Sequence, residues 1–324
     1  MSDVLLAIAT MAVVVAGGWF IQARGILPAG SREMLATVSF SIAGPCLLLA
    51  TVAKADIGTL ASAGAAVTWG TTLALAAVLA IVARWELRLP AGRATITTLS
   101  GSYINAGNLG LPLAVYLFGD ALAVVPTMLL QLLVMAPIAF GVLGRAADAN
   151  PVAAARAVPQ DGDAPVRRSA LASAVLNPLT LATLAGLVLA LLPWSVPEAA
   201  LAPFDLVGAA APPLALITLG MSLSSDVRMA DAQAGTRTSL AGPMLVTVAA
   251  RAVLHPLLTW GVGLAVGLDD TALAVVVSMA ALPTAQNVVV YANRYRCAVD
   301  VASRACVLTT ALSGPVLIAV AALV

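Results

Sequence analysis

Two short stretches carry the side chains best suited to chemistry. Residues 105–112 read NAGNLGLP, and residues 282–287 read LPTAQN, each inside an otherwise apolar segment. Amides donate to a carboxylate and accept from a hydroxyl or from the water shell of a cation. Pro112 has no N–H, so the carbonyl of Asn108 loses its helical partner, and Pro283 does the same to the carbonyl of Met279. Gly107 and Gly110 loosen the backbone and let a ligand or another helix approach closely. A helix interrupted at Leu111-Pro112 or at Leu282-Pro283 begins again. Its new N-terminus, with orphan N–H groups and a partial charge of about +0.5, favours an anion, and proline starts such a half-helix well. If the two breaks meet, these termini and the amides of Asn105, Asn108, Gln286 and Asn287 converge on one small volume.

Arg251 and His255 form a second constellation, four residues apart on one helical face in the apolar run ARAVLHP. A charge at membrane depth, costing roughly 2.5 to 3.5 kcal/mol or more, requires compensation. Either Arg251 binds carbonyls freed by the interrupted helices and His255 is a hydrogen-bonded core residue, or Arg251 supplies positive potential to an anion with His255 as a proton carrier. Other chemistry is not provided for. The 15 acidic residues fall at helix ends or in loops, so a buried titrating carboxylate of the antiporter kind is not predicted, although Asp205 and Asp300 lie near helix ends. One histidine and three cysteines, Cys46, Cys297 and Cys306, show no metal-ligand spacing and no paired spacing. No metal site, cofactor or catalytic residue is expected, and the cysteines are assigned to packing. The acidic pair Asp269-Asp270 stands at a helix start, where capping is its expected role.

The elements that hold these residues follow from composition. Of 324 residues, 61% are hydrophobic and 10% charged, with mean hydropathy +1.02; one soluble core could not hide that much apolar surface, so the chain is an all-α integral membrane protein. A hydrocarbon layer of about 30 Å takes roughly 20 helical residues. Ten apolar spans are expected, at 3–22, 34–53, 59–83, 94–118, 121–143, 170–192, 201–223, 239–267, 271–291 and 300–323. The first is too long and too acidic at its start to be a signal peptide. Alternate connections hold almost all the basic residues, among them Arg24, Arg32, Arg84, Arg88, Arg93, Arg145, Arg228 and Arg294, while the opposite set holds Lys54 alone. The positive-inside rule then puts both termini outside. The net charge of +1 gives no sign of a nucleic-acid partner.

A polar connection, 144–169, divides the spans five and five: a first repeat at 1–143 and a second at 170–324, which must insert upside down because five is odd. Pro112 and Pro283 are 171 residues apart, close to the 167 between Val4 and Leu171 at the two starts. Matched interruptions in inverted halves point to a secondary transporter with its site near the midplane. Pro45, Pro126, Pro137 and Pro178, without such amides, read as simple kinks.

The chain resembles the auxin efflux carrier family across nearly its whole length, in GGWFIQARGILPA, SFSIAGPCLLL, NAGNLGLPL, NPLTLATLAGLVL, PPLALITLGMSL, ALPTAQNVVVYANRY and SGPVL, with Arg251 five residues before Pro256. The resemblance implies a ten-helix inverted repeat akin to bile-acid/sodium symporters, with helices 4 and 9 crossing. Helices 1, 2, 6 and 7 would form a scaffold, often a homodimer interface, and helices 3–5 and 8–10 a transport unit. It further implies that Asn105 contacts a substrate carboxylate and that Pro283, Thr284, Gln286 and Asn287 are its ninth-helix counterparts. The expected function is secondary or facilitative transport of small organic anions, auxin-like or malonate- and malate-like, across a bacterial inner membrane, with H+ or Na+ as the coupling ion if there is one. The alternatives are a sodium-coupled symporter of larger amphipathic acids and, more remotely, a membrane-embedded enzyme. The central connection is too short for regulation through a long cytosolic loop.

Overall fold

The computed structural model describes residues 2–55, 62–148, 178–193, 196–232 and 241–323, and every element among them is helical. Most of the predicted connection at 144–169 lies outside the described residues, as does the start of the sixth span. In chain order the elements are α1 (Ser2–Arg24), α2 (Ser31–Ala53), α3 (Ala63–Glu86), α4 (Ala91–Ser102), α5 (Ala106–Phe118), α6 (Ala121–Ala146) and α7 (Pro178–Ala190). They continue as α8 (Glu198–Gly208), α9 (Ala211–Ala232), α10 (Gly242–Val266), α11 (Asp270–Ala280), α12 (Gln286–Arg294) and α13 (Val299–Leu323). Among the described residues six helical stretches are long and apolar enough to cross a membrane, and α5, α7 and α11 are shorter apolar helices. Large apolar side chains stand on the outer surface, such as Leu206 at 79% and Leu245 at 72% exposure. A lipid-facing surface takes that form, and the chain is a multi-pass membrane protein.

Local chemistry sets the helix ends. Ser62 accepts from the Ala65 N–H at the start of α3, and Asp269 accepts from the Ala272 N–H (2.8 Å) at the start of α11, the capping role expected of it. Gly119 and Gly267 end α5 and α10 at positive φ of 70° and 80°. The prolines behave less uniformly than predicted. Residues 39–43, 106–110, 131–135 and 250–254 each form one wide π-turn, and each turn ends two residues before a proline, at Pro45, Pro112, Pro137 and Pro256. Shifting acceptors from i−4 to i−5 takes up the missing N–H without breaking the helix. Pro112 therefore does not interrupt a helix: α5 runs through it, and the break lies at Tyr103–Asn105. Pro283 does lie in a break, between α11 and α12.

The helices pack in two groups. In one, α1 lies along α9, and α2 lies along α7 and α8; in the other, α3, α4, α6 and α10 to α13 surround the two breaks. Glycines close both seams of the first group. A Cβ on Gly18 would stand 2.2 Å from the Ile217 carbonyl oxygen, and one on Gly220 2.0 Å from that of Val15; one on Gly186 would meet Leu49 O at 3.0 Å and Val52 Cβ at 2.9 Å. Such backbone approach gains dispersion where lipid offers no hydrophobic drive. Lys54, at the end of α2, pairs with Asp205 of α8 at 2.7 Å, both near 40% exposed. Lys54→Ala is expected to lower stability by less than about 1 kcal/mol, read as a small shift of the thermal unfolding midpoint in detergent.

Candidate functional site

The two breaks meet. Ile104 and Thr284 form an isolated antiparallel bridge in which the Asn105 N–H donates to the Pro283 carbonyl (2.8 Å) and the Ala285 N–H to the Tyr103 carbonyl (3.0 Å). Further backbone groups of the crossing are also bonded. The Ile104 carbonyl accepts from Ala106 N–H (2.8 Å) and from Gln131 Nε2 (3.1 Å), the Thr284 N–H donates to Thr309 Oγ1 (3.0 Å), and the Thr284 hydroxyl donates to the Ser100 carbonyl (2.6 Å). Backbone released from helical bonding thus finds protein partners, as burial away from water demands.

Asn105 caps α5. Its Oδ1 accepts from the Asn108 N–H at 3.2 Å, which fixes the amide orientation and turns Nδ2 outward. That nitrogen is buried, on a residue 3% exposed, and has no hydrogen-bond partner. Asn105 lines a cavity of about 30 Å3 whose wall also includes Gly107, Asn108 and Asn287 from the crossing, Gln131 from α6, Phe40 from α2 and Leu179 from α7. α12 begins here without a side-chain cap, leaving the first N–H groups of a half-helix at the same crossing. The site is therefore a buried donor and a half-helix terminus enclosed by amides on one side and apolar side chains on the other. That arrangement can hold one carboxylate oxygen pair with an apolar remainder.

Around this geometry, the family model described as membrane transport protein matches residues 3–320. The chain belongs to the auxin efflux carrier family. The carrier is also 27% identical, over 289 residues, to a protein of Rhizobium meliloti (strain 1021) named "Putative malonate transporter"; the match covers 88% of this chain and 85% of that one.

The carrier's other sequence-predicted residues divide by place. Gly110 packs against Leu282 and Val124. Pro112 is buried in the first regular turn after the π-turn, and Pro283 and Thr284 belong to the bridge. Gln286 stands off the cavity, accepting from Asn108 Nδ2 (2.9 Å) and donating to Ser222 Oγ of α9. Arg251 and His255 are also elsewhere. Arg251, 1% exposed, donates to the Ala280 carbonyl at the end of α11 and contacts His255 Nδ1, while His255 Nε2 meets the Thr72 hydroxyl (3.2 Å). Arg251 Nη2 thus clamps the carbonyl at the end of α11, while its Nε and Nη1 are buried without a partner. Asp205 and Asp300, the acids nearest a span, pair with Lys54 and Arg93 outside the cavity. Among the described residues no cluster of histidine, cysteine and acidic side chains has metal-binding geometry, and the three cysteines form no disulfide.

Sequence reasoning missed Gln131, Phe40, Met128, Leu132 and Leu179. Gln131 had a usable signal: it is the only amide in the apolar run from Met128 to Ile138, and a lone amide in a membrane helix seeks a partner. The four apolar residues had none, because nothing separates a Leu facing a cavity from one facing lipid until neighbouring helices are placed.

Proposed function

We propose that the chain is a secondary carrier of small organic anions, carboxylates of the malonate or auxin kind, working by alternating access in a bacterial inner membrane. The observation that carries this reading is the unpartnered, buried Nδ2 of Asn105, a residue of the cavity wall beside the two bridged helix breaks. A buried donor left without an acceptor is unfavourable by about 1–3 kcal/mol, and a site that exists to receive an acceptor accounts for it. The family and the relative's name agree with that class.

In this reading α4 with α5, α8 with α9 and α11 with α12 are each one crossing, which makes ten with both termini outside. Exchange of the two five-helix halves maps α1 onto α7 and α2 onto α8 and α9. The glycine-closed seam of α1 with α9 then corresponds to that of α7 with α2, which supports an inverted repeat and a rigid scaffold of these helices. The remaining helices form the moving unit. The cavity, with room for a water or two, is too small for a substrate, so binding must widen the seam between the crossing and the scaffold side chains Phe40 and Leu179.

A ligand that binds the folded state raises its melting temperature; at 100 times Kd the gain is about 2.7 kcal/mol. Purified carrier screened against short mono- and dicarboxylates, with and without sodium and at two pH values, is expected to show such a shift for carboxylates and none for the matching amides. Equal response to acids and amides contradicts the proposal.

A further inference from the structure

The cavity differs on its two sides, and that difference bears on the charge state of the substrate. On one side stand the donor Nδ2 of Asn105 and the uncapped start of α12; with the start of α5, two half-helix termini of about +0.5 each amount to roughly one unit of positive potential. On the other side α2 presents Phe40, α6 presents Met128 and Leu132, and α7 presents Leu179. The one amide on that side, Gln131 of α6, already donates to the Ile104 carbonyl (3.1 Å), so a second carboxylate turned toward that wall would be desolvated without a charged partner. Among the described residues no Asp, Glu, Lys, Arg or His lines the cavity, and the only ionisable side chain in its wall is the phenol of Tyr103, uncharged at neutral pH. Arg251, the one fully charged buried side chain among the described residues, is held at the end of α11 and does not line the cavity. Against the roughly one unit of positive potential at the two termini, one anion is balanced and a dianion leaves an excess negative charge.

We infer that the carrier takes its substrate as a monoanion, so that a dicarboxylate is carried with one carboxyl group still protonated and brings its own proton. This rests on the carboxylate-carrier reading above. The bound species HOOC–CH2–COO− keeps its O–H bond through the membrane and releases H+ to water on the far side. One proton therefore moves with each dicarboxylate molecule although no side chain in the cavity wall titrates. His255, held between Arg251 and Thr72, takes no part.

The test uses the full-length protein in liposomes, with pH equal on both sides, the membrane potential clamped and an internal pH dye. The probes are malonate and monomethyl malonate, nearly alike in shape, the latter a monoanion at every pH used. Between pH 5 and 8 the initial rate for the monoester is expected to stay constant within about twofold. The rate for malonate is expected to fall about tenfold per pH unit above the titration of its second carboxyl, as a single dissociation requires. Internal acidification should accompany malonate alone. Malonate transport that stays flat with pH, still lost in Asn105→Ser, overturns the monoanion inference and leaves the carrier reading standing. If neither compound binds or moves at any pH, the carboxylate reading of the site falls and the inference with it.

Discussion

Gly220→Ala is expected to remove nearly all folded, monodisperse protein, while Gly17→Ala leaves the yield and melting temperature unchanged. The new Cβ at position 220 would lie 2.0 Å from the Val15 carbonyl oxygen and 2.8 Å from the Trp19 backbone nitrogen. Both obstacles are backbone, so no rotamer change relieves the overlap. The α1–α9 seam must open by more than an ångström along its length, and the matching contact of Gly18 with Ile217 opens with it. A gap of 0.5–1 Å already forfeits a quarter to a half of each dispersion contact, and in lipid dispersion and close packing are the main forces holding helices together. The expected destabilisation exceeds about 3 kcal/mol. Nothing lies within 4 Å of a Cβ at Gly17. Size-exclusion profiles and thermal unfolding in detergent compare the variants, and a stable, monodisperse Gly220→Ala would refute the tight seam.

The second large effect concerns Asn105, whose side chain has two atoms with separate duties. Its Oδ1 caps α5, and its Nδ2 is buried without a partner on a residue of the cavity wall. Asn105→Ala removes both, costing about 1 kcal/mol of stability for the cap and, on the proposal, a donor to a carboxylate worth about 1.5–3 kcal/mol, or roughly ten- to a hundredfold in affinity. Uptake or efflux in proteoliposomes should fall to background while the protein stays folded. Asn105→Ser separates the duties, since serine is as good a cap but lacks the amide N–H. It should keep the wild-type melting temperature and still lose ligand binding. Asn105→Asp also keeps the cap, but places a negative charge where the substrate's would lie, and should abolish binding altogether. Wild-type transport by Asn105→Ser would show that Asn105 is a cap and nothing more.

The interrupted helices show how far residue types could be read. NAGNLGLP and LPTAQN were legible because amides, glycines and prolines are out of place in lipid unless protein or a cavity receives their polar groups. Where the chain breaks was not legible in the first of them. Pro112 is a strong local signal for an interruption, yet a π-turn absorbs it, as similar turns absorb Pro45, Pro137 and Pro256. The break falls at Tyr103–Asn105, which contains no proline, because there the backbone trades helical bonds for bonds to Pro283, Ala285 and Gln131. Those partners lie on other segments of the chain, so nothing in residues 103–105 themselves shows them.

The sequence by itself determined that this is a multi-pass helical membrane protein of one transporter family, because hydropathy over spans of about 20 residues and the residue types of a few motifs are local properties. It also placed Asn105, Asn108 and Asn287 among the residues worth attention. Only the tertiary structure decided that Asn105 Nδ2 is left free while Gln286 is engaged by Asn108 and Ser222, and that Arg251 clamps the end of α11 rather than facing the cavity. It likewise decided which glycine of the Gly17-Gly18 pair touches backbone. Each of these depends on which atoms of other helices lie within about 4 Å, and that distance is set by packing between separate helices, 29 to 178 residues apart for the side-chain contacts, about which local residue pattern carries no information.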